Sequence, residues 1–336
     1  MFATLGGSLP APPIPLSASG AGGTADVDEL IRFAIEAQEA AGLEPITDGG
    51  LRHRDPMEAL ARGLDGIEVR DGALAVVREP PRWRAPIFVE AWQFAASCTD
   101  RAVKQAIMGP YTLARQLASG RLGRETVTLA LAEALNAELQ ALAVAGCPLI
   151  EVVEDAAVAI GDDPVERRLF RDAQARLTAG PEGVHLSLAI RGGSADGAGS
   201  ATILDAPYAS YLFDLRAGPD NWRIAVDVPG DRGVIVGADD ATASRAESVE
   251  ILTYAIGYAA SSGRRGHARV GVATSGDMTG LSWEAAQAKM VGIGRMVELY
   301  AGPPGSLGAA MDPRAVDIRS AAMGRREPRP DRPGHS

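Results

Sequence analysis

Residues 125–153 read ETVTLALAEALNAELQALAVAGCPLIEVV, and this stretch joins the longest predicted helix to a predicted strand. The helix covers Glu125–Ala145 and ends at Gly146. Leu149–Val153 is a short apolar run that is typical of a buried strand. A helix followed within a few residues by a buried strand is the repeating unit of a parallel sheet covered by helices.

The same alternation of strand and helix continues on both sides of this stretch. The predicted strands are Ala3–Ser8, Pro45–Thr47, Pro86–Glu90, Val103–Met108, Leu149–Val153, Val184–Ile190, Tyr211–Leu215, Val234–Ala238 and Ala268–Thr274. The predicted helices are Asp26–Ala41, one from Asp55, Ala91–Ser97, Tyr111–Leu117, Glu125–Ala145, Val165–Leu177, Ser244–Ser261 and Ser282–Tyr300. About eight such units in one run predict an α/β protein that forms a closed (β/α)8 TIM barrel rather than an open sheet.

Two segments fall outside the barrel pattern. Gly66–Val77 has an Asp71-Gly72 turn between β-prone runs and predicts a small inserted β-hairpin. From Asp312 onward the chain is rich in Arg, Pro, Gly and Asp and has almost no apolar periodicity. We therefore expect a single barrel domain over residues 1–311 and a flexible tail over residues 312–336, with a regulatory basic tail as the alternative.

Composition limits the partners and the cellular location. A formal net charge of −10 argues against nucleic acid as a partner. Cys98 and Cys147 lie far apart and outside any metal-type spacing, which fits a reducing compartment. No signal segment is visible and no stretch approaches the roughly 20 apolar residues of a membrane span. We expect a cytoplasmic protein that acts on a small molecule; the sequence leaves its oligomeric state open.

Short motifs occur in order along almost the whole chain. They are Leu5–Pro10, Ile46–Arg52, Pro86–Glu90 with Asp100, Val103-Lys104 with Met108–Leu113, Ala145-Gly146 with Ile150–Glu154, Glu247-Ser248, and Ser275-Gly276 with Ala288–Met290. In this order and spacing they resemble the catalytic barrel of the cobalamin-independent methionine synthase family. The resemblance implies a barrel of the methionine synthase and uroporphyrinogen decarboxylase type, and methyl transfer as the reaction. Because only the second of that enzyme's two barrels is matched, this chain is closer to single-barrel members that use another methyl donor.

The resemblance also implies a zinc site. The family uses zinc to lower the pKa of the homocysteine thiol and holds it with His-x-Cys, a Glu and a Cys-Gly. The matching residues here are His185, Ser187, Asp214 and Ser275. Because serine is a poor zinc ligand, we expect a degenerate zinc site without tight zinc binding, in which His185 and Asp214 are the remaining metal ligands. A harder ion held by Asp214, Glu154 and water is the alternative.

The substrate pocket is altered in the same way. The resemblance places carboxylates for the homocysteine ammonium at Gly50 and Val153, where this chain has none. Gln116 stands where the family has a folate-stacking tryptophan, and Thr242 stands near the position of its acid histidine. Homocysteine and folate are therefore not the expected substrates.

We expect the site at the carboxyl ends of the barrel strands, where this fold carries its active sites. The predicted catalytic residues are His185, Asp214 and Glu154. The predicted substrate-binding residues are Gly7, Ser8, Asp48, Arg52, Asp155, Asn221 and Arg223. A satisfied core histidine is the alternative for His185, and a solvated loop pair is the alternative for Glu154 with Asp155.

Three functions remain open at this stage. The leading one is a methyl- or alkyl-transferase of the methionine synthase type that acts on a small molecule other than homocysteine with folate; it predicts a polar pocket. The second is a metal-free lyase or decarboxylase, in which Arg52 or Arg223 holds a substrate carboxylate and Asp48 moves a proton. A pocket dominated by arginine favours it. The third is a non-catalytic ligand-binding member, which a closed apolar pocket favours.

Overall fold

The computed structural model of the chain describes residues 1–14, 24–54, 56–70, 73–76 and 79–311. The strands are β1 (Phe2–Thr4), β2 (Leu64–Asp65), β3 (Ile67–Arg70), β4 (Ala73–Val76), β5 (Arg82–Trp83), β6 (Lys104–Met108), β7 (Leu149–Val153), β8 (His185–Ile190), β9 (Ser210–Asp214), β10 (Gly233–Asp239) and β11 (Val270–Thr274). The helices are α1 (Thr24–Ala40), α2 (Pro56–Gly63), α3 (Val89–Ser97), α4 (Pro110–Gln116), α5 (Arg124–Val144), α6 (Pro164–Leu177), α7 (Ser200–Ile203), α8 (Trp222–Asp227), α9 (Val249–Ser261), α10 (Trp283–Ala301) and α11 (Ser306–Ala310).

Seven strands form one parallel sheet in the order β1-β11-β10-β9-β8-β7-β6. Residues 44–47 lie between β1 and β6, the two edge strands of this sheet. The Glu44 amide donates to the Ala3 carbonyl at 2.9 Å, and the Ile46 carbonyl accepts from the Lys104 amide at 2.9 Å. This segment forms only an isolated bridge with the chain before β6, so the eighth position of the barrel is irregular. The prediction of a TIM-barrel-like fold is confirmed, although the sheet itself does not close completely.

The prediction of a strand at Pro86–Glu90 is wrong. These residues run as a loop into α3, which begins at Val89. The amides of Ile87 and Phe88 donate to the carboxylate of Glu138 on α5, at 2.9 and 2.8 Å. A side chain distant in sequence therefore satisfies the backbone groups that a strand would have paired, and no local pattern reveals it.

The first strand is shorter than predicted, ending at Thr4 instead of Ser8. The Gly6 amide donates to the Thr274 hydroxyl at 2.9 Å. A Cβ atom at Gly6 would lie 2.0 Å from the Thr274 carbonyl oxygen, so only glycine permits this approach. The chain thus leaves the sheet after β1 and places Gly7 and Ser8 at the carboxyl end of the barrel.

Smaller differences occur elsewhere. The predicted helix from Ser244 begins at Val249, because the Ser248 hydroxyl caps it by accepting from the Ile251 amide at 3.4 Å. The short helices α7 and α8 were not predicted. Strands β3 and β4 pair antiparallel, as expected of the inserted hairpin. The Asp71-Gly72 turn of that hairpin and the predicted tail over residues 312–336 lie outside the described residues.

The apolar core has two parts. The larger part lies between the sheet and the surrounding helices. The smaller part fills the barrel interior and consists of Val153, Ala189, Leu212, Ile235 and Ala273, with Phe2 packed against them. Because side chains alternate along a strand, every second residue faces this interior. The interior above this layer, toward the carboxyl ends, is therefore left for polar side chains.

Helix α5 is the one helix of the described chain that is long and apolar enough to cross a membrane by length and composition alone. Half of its apolar stretch is buried inside the fold. It packs between α4 and α6.

Candidate active site

A cavity of about 340 Å³ opens at the carboxyl ends of the strands. We call it the main cavity. Its polar lining comprises Ser8, Thr47, Asp48, His53, Arg54, Lys104, Gln105, Thr112, Gln116, Glu151, Asp155, Arg191, Asp277 and Thr279. Apolar residues such as Leu5, Phe88, Ile107 and Val153 complete it. The lining is therefore mixed in polarity and charge, as a pocket for a small polar molecule requires.

A second cavity of about 320 Å³ adjoins the first, and we call it the side cavity. The two share Asp155, Arg191 and Asp277. The side cavity is also lined by Asp214 and Ser275. Strand ends from β7, β8, β9 and β11 therefore meet around one arginine side chain.

Arg191 follows directly on β8 and holds this junction together. Its Nε and Nη2 atoms donate to Oδ1 and Oδ2 of Asp155, at 3.1 and 2.8 Å. Its Nη1 atom donates to the Gly6 carbonyl at 2.9 Å and to Asp277 at 3.3 Å. Burial disfavours the charged form, but the two carboxylates outweigh it and hold the pKa of Arg191 above its ordinary value. The site thus contains a permanent cation.

Two carboxylates on the main cavity, those of Asp48 and Asp277, are fixed through one oxygen each. Oδ1 of Asp48 accepts from the Gly50 amide at 2.8 Å. Oδ1 of Asp277 accepts from the Ser8 amide at 2.7 Å, in addition to its contact with Arg191. The second oxygen of each carboxylate has no hydrogen bond to the described part of the chain. These oxygens are available to a donor group on a ligand.

His53 also lines the main cavity. Its Nε2 atom is buried and has no hydrogen-bond partner among the described residues. The ring packs edge-on against Phe88, with 5.4 Å between ring centroids. Burial lowers the pKa of His53, and the carboxylates of Asp48 and Glu90 oppose this only in part. The imidazole is therefore neutral at pH 7 and can accept a proton or a hydrogen bond.

The floor of the main cavity is a buried ion pair. Nζ of Lys104 lies 2.8 Å from Oε2 of Glu151, and both side chains are 2% exposed. The same ammonium donates to the Leu5 carbonyl at 2.7 Å. These charges neutralise each other, so the floor closes the cavity without adding net charge.

The expectation that His185 lies at a carboxyl strand end is wrong. His185 is the first residue of β8, and its Nε2 atom lies 2.8 Å from the Ser210 hydroxyl at the start of β9. At about 3.3 Å per residue, it lies roughly 20 Å along the strand from Arg191. Ser187 is likewise buried inside the barrel and accepts from the Ser210 hydroxyl at 2.9 Å. The strand was predicted with nearly correct bounds, but His185 lies at its amino end.

Asp214 does lie at a carboxyl end, as the last residue of β9. Its Oδ1 atom accepts from the amides of Arg216 and Ala217, at 2.8 and 2.9 Å. Its Oδ2 atom accepts from the Gly192 amide at 3.0 Å. The carboxylate therefore ties together the loops that follow β8 and β9. The structure does not bring it near His185, so the two cannot share a metal ion.

Glu154 faces the helix layer and does not line either cavity. Its carboxylate accepts from the amides of Tyr111 and Thr112, from the Thr112 hydroxyl and from Gln174, at distances between 2.6 and 3.1 Å. It therefore caps the first turn of α4. Burial raises the pKa of Glu154 to about 7, against these four hydrogen bonds. Glu154 and Asp155 do not act as a pair, because Glu154 binds the start of α4 whereas Asp155 binds Arg191.

The predicted substrate-binding residues fall into two groups. Gly7, Ser8, Asp48 and Asp155 line the main cavity. Arg52 does not: it pairs with Asp28 on α1, and its guanidinium lies 4.6 Å from the ring centroid of Phe94 on α3.

The other two predicted residues lie behind the site. Asn221 is fully buried and donates to the carbonyls of Gly193 and Asp214, at 2.9 and 2.8 Å. Arg223 is on the surface, where it pairs with Asp196 at 2.6 Å. Asn221 shapes the loops around the site, and Arg223 is remote from both cavities.

Arg191, Asp277 and His53 line the site but are not among the residues predicted from the sequence. A signal existed for Arg191, because it is the first residue after the predicted strand Val184–Ile190. Asp277 follows the Ser275-Gly276 motif by one residue. For Arg191, a charged residue directly after a predicted strand indicated the site better than the position of a family motif did.

The zinc ion implied by the resemblance does not fit these residues. No group of three or more His, Cys, Asp or Glu side chains in the described ranges could hold a metal ion. Asp214 is occupied by three amides, and Ser275 uses its hydroxyl to accept from the Ala241 amide at 3.0 Å. The cation at the junction is instead Arg191.

Comparison with known proteins agrees with the fold. The sequence profile described as "Cobalamin-independent synthase, Catalytic domain" matches residues 19–191, just over half of the 336-residue chain. A B12-independent methionine synthase from Shewanella sp. W3-18-1, solved in complex with selenomethionine, superposes with a TM-score of 0.76 at 19% identity, covering 89% of this chain and 97% of that one.

Two further solved structures share the fold. A putative vitamin-B12 independent methionine synthase from Listeria monocytogenes gives a TM-score of 0.65 at 16% identity, covering 83% of this chain and 88% of that one. A methyltransferase from Methanosarcina mazei gives 0.53 at 14% identity, covering 81% and 86%. At these identities the likeness is one of fold, and the chemistry must be argued from the site.

Proposed function

This chain belongs to the cobalamin-independent methionine synthase family through its catalytic domain, and on that premise we propose that it is a methyl- or alkyl-transferase acting on a small molecule in the main cavity. The observation that carries the proposal is the polar cavity at the strand ends, lined by Asp48, His53, Asp155 and Arg191. We place the activity in the cytoplasm, in keeping with the two free cysteines.

We propose a substrate other than homocysteine with folate. Gly50 and Val153 offer no carboxylate to an ammonium group, and Gln116 offers no ring on which a pterin could stack. Asp48, Asp155 and Asp277 supply carboxylates at other points of the cavity wall. The Shewanella protein was solved in complex with selenomethionine, which supports a ligand of amino-acid size for this chain.

The acceptor must lose a proton when it takes up the alkyl group. Without a metal ion to acidify the acceptor, a protein side chain must remove that proton. We assign this role to the imidazole of His53, which lines the main cavity and whose pKa is lowered by burial, so that it is neutral near pH 7. The proton passes to His53, the acceptor lone pair forms the bond to the alkyl carbon, and the donor leaves with the electron pair of the broken bond.

The lyase reading is weaker, because Arg52 and Arg223, on which it relied, lie outside both cavities. The reading as a purely apolar binding protein is weaker as well, because charged side chains form much of the cavity wall. We therefore propose no second function.

The test is a transfer assay with donors whose methyl group carries ¹³C. Three donor classes, a methylfolate, a methylcorrinoid and a methylsulfonium, are each combined with thiol, amine and hydroxyl acceptors, and the label is followed by NMR. We expect transfer with at least one pair other than methylfolate with homocysteine. Asp155→Asn should abolish it, and Arg223→Ala should not.

Two results would count against the proposal. Transfer from methylfolate to homocysteine that depends on added zinc would restore the ordinary family reaction. No transfer with any pair, from a protein that is folded by circular dichroism, would remove the transferase assignment.

A further inference from the structure

The carboxyl ends of β8, β9 and β11 converge on the side cavity. Ile190 pairs with Phe213 in the sheet, so Arg191, which follows β8, lies level with Asp214, the last residue of β9. Ser275 follows β11, and all three side chains line the side cavity. Asp214 and Ser275 are two of the positions at which a metal ligand was expected. The third side chain at this point is that of Arg191, which is a cation and cannot bind a metal ion.

The surroundings of Arg191 are those that a hard cation prefers. Its guanidinium contacts the carboxylates of Asp155 and Asp277 and the carbonyl oxygen of Gly6. Carboxylate and carbonyl oxygens are the common protein ligands of divalent cations. A guanidinium keeps its charge at every physiological pH, and its planar fork matches a carboxylate at two points, as it does here at Asp155.

We propose that the guanidinium of Arg191 takes the place of a metal ion as the fixed cation of this site. In that role Arg191 is a positioning residue: it holds Asp155 and Asp277, which come from different strand ends, at set places on the main cavity. The inference does not depend on the proposed transferase reaction, since it concerns which cation occupies the site and not what is transferred.

A consequence follows for a chain that lacks this guanidinium. Removal of Arg191 leaves Asp155, Asp277 and the Gly6 carbonyl facing a space without a positive charge. Such a group of oxygen atoms can accept a divalent cation in place of the side chain. The variant should therefore gain metal binding that the natural chain does not have.

The experiment compares the full, tag-free chain with Arg191→Ala and Arg191→Gln. Each protein is exposed to zinc or manganese chloride and freed of unbound ions by gel filtration. Metal content is then measured by elemental analysis, and Tm is measured with and without the ion. Arg223→Ala is the matched control, because it removes an arginine that pairs with Asp196 on the surface.

We expect well under one equivalent of metal in the natural chain and in Arg223→Ala, with no effect of either ion on Tm. We expect Arg191→Ala to have a lower Tm, which rises with the concentration of manganese or zinc because the ion binds only the folded chain. Arg191→Gln should show the same gain and serves if the alanine variant does not fold.

Two outcomes would overturn the inference. One is a full equivalent of metal in the natural chain that is lost in Asp214→Asn. The other is a folded Arg191→Ala or Arg191→Gln chain that binds no more metal than the natural one. If neither variant folds, the metal content of the natural chain decides alone. Failure of the transfer assay with these metal results unchanged would affect only the proposed reaction.

Discussion

Nζ of Lys289 lies 2.6 Å from Oδ1 of Asp239, and neither side chain is measurably exposed. Lys289 also donates to the Arg245 carbonyl at 2.8 Å, so it ties α10 to the carboxyl end of β10 and to the loop that follows. Oδ2 of Asp239 has no hydrogen-bond partner among the described residues. Burial raises the pKa of Asp239 although Lys289 opposes this. Lys289 is therefore the main group that favours the charged form of this carboxylate.

Lys289→Met should lower the free energy of unfolding by about 3–5 kcal/mol, because it leaves a buried carboxylate without its cation. The double variant Lys289→Met with Asp239→Leu should recover a large part of that loss. Urea unfolding of the two variants measures both effects. A loss in Lys289→Met as small as that of the surface control Arg223→Ala would contradict the importance of this pair.

The proposed proton acceptor predicts a pH profile. The folded pKa of His53 lies below its ordinary 6.5 because of burial, and only the neutral form can take a proton. Transfer activity should therefore rise with pH in the range below 6.5 and be constant near pH 7. His53→Gln should lower kcat by roughly 10²–10⁴-fold and remove this dependence. An unchanged profile in the variant would assign the ionisation to another group.

For His185, in contrast to His53, we expect no role in the transfer reaction. It lies at the amino end of β8, and its ring contacts the Ser210 hydroxyl. His185→Ala should leave kcat and KM for the transfer reaction unchanged within about twofold and cost only about 1 kcal/mol of stability through the lost hydrogen bond. Steady-state kinetics on a substrate pair identified by the transfer assay provide the check. A large loss of kcat at full stability would return His185 to the active site.

Glu154 predicts a pH dependence of stability. Its folded pKa of about 7 lies above the ordinary value of 4.5, so the folded chain holds the proton more tightly than the unfolded chain does. The stabilisation is complete below pH 4.5 and is lost as the pH rises through about 7, by up to about 3 kcal/mol.

Glu154→Gln removes this ionisable group and so isolates its contribution. The variant should lose this part of the pH dependence. It should also be less stable than the natural chain, because an amide N–H₂ would face the amide donors at the start of α4. Urea unfolding at pH 5, 6, 7 and 8 compares the two chains. Parallel stability curves would show that Glu154 titrates in the same range folded and unfolded.

Local patterns of apolar residues were enough to predict most strands and helices of the barrel. Buried strands such as Leu149–Val153 carry their apolar character in a few consecutive residues, and the helices between them carry it at helical spacing. The prediction of a strand at Pro86–Glu90 was wrong because Glu138, about 50 residues away, binds the amides that would have paired in a sheet. Such a contact leaves no trace in the local sequence.

The sequence by itself determined the barrel fold and the family resemblance, because both depend on residue types and their order. It also identified Asp48 and Asp155 as lining residues. Only the tertiary structure decided that His185 lies at the amino end of its strand, that Asp214 and Glu154 hold backbone amides, and that Arg191 joins Asp155 to Asp277. The physical reason is that a cation site forms where separate strand ends meet in space, and that meeting depends on the direction and face of each strand.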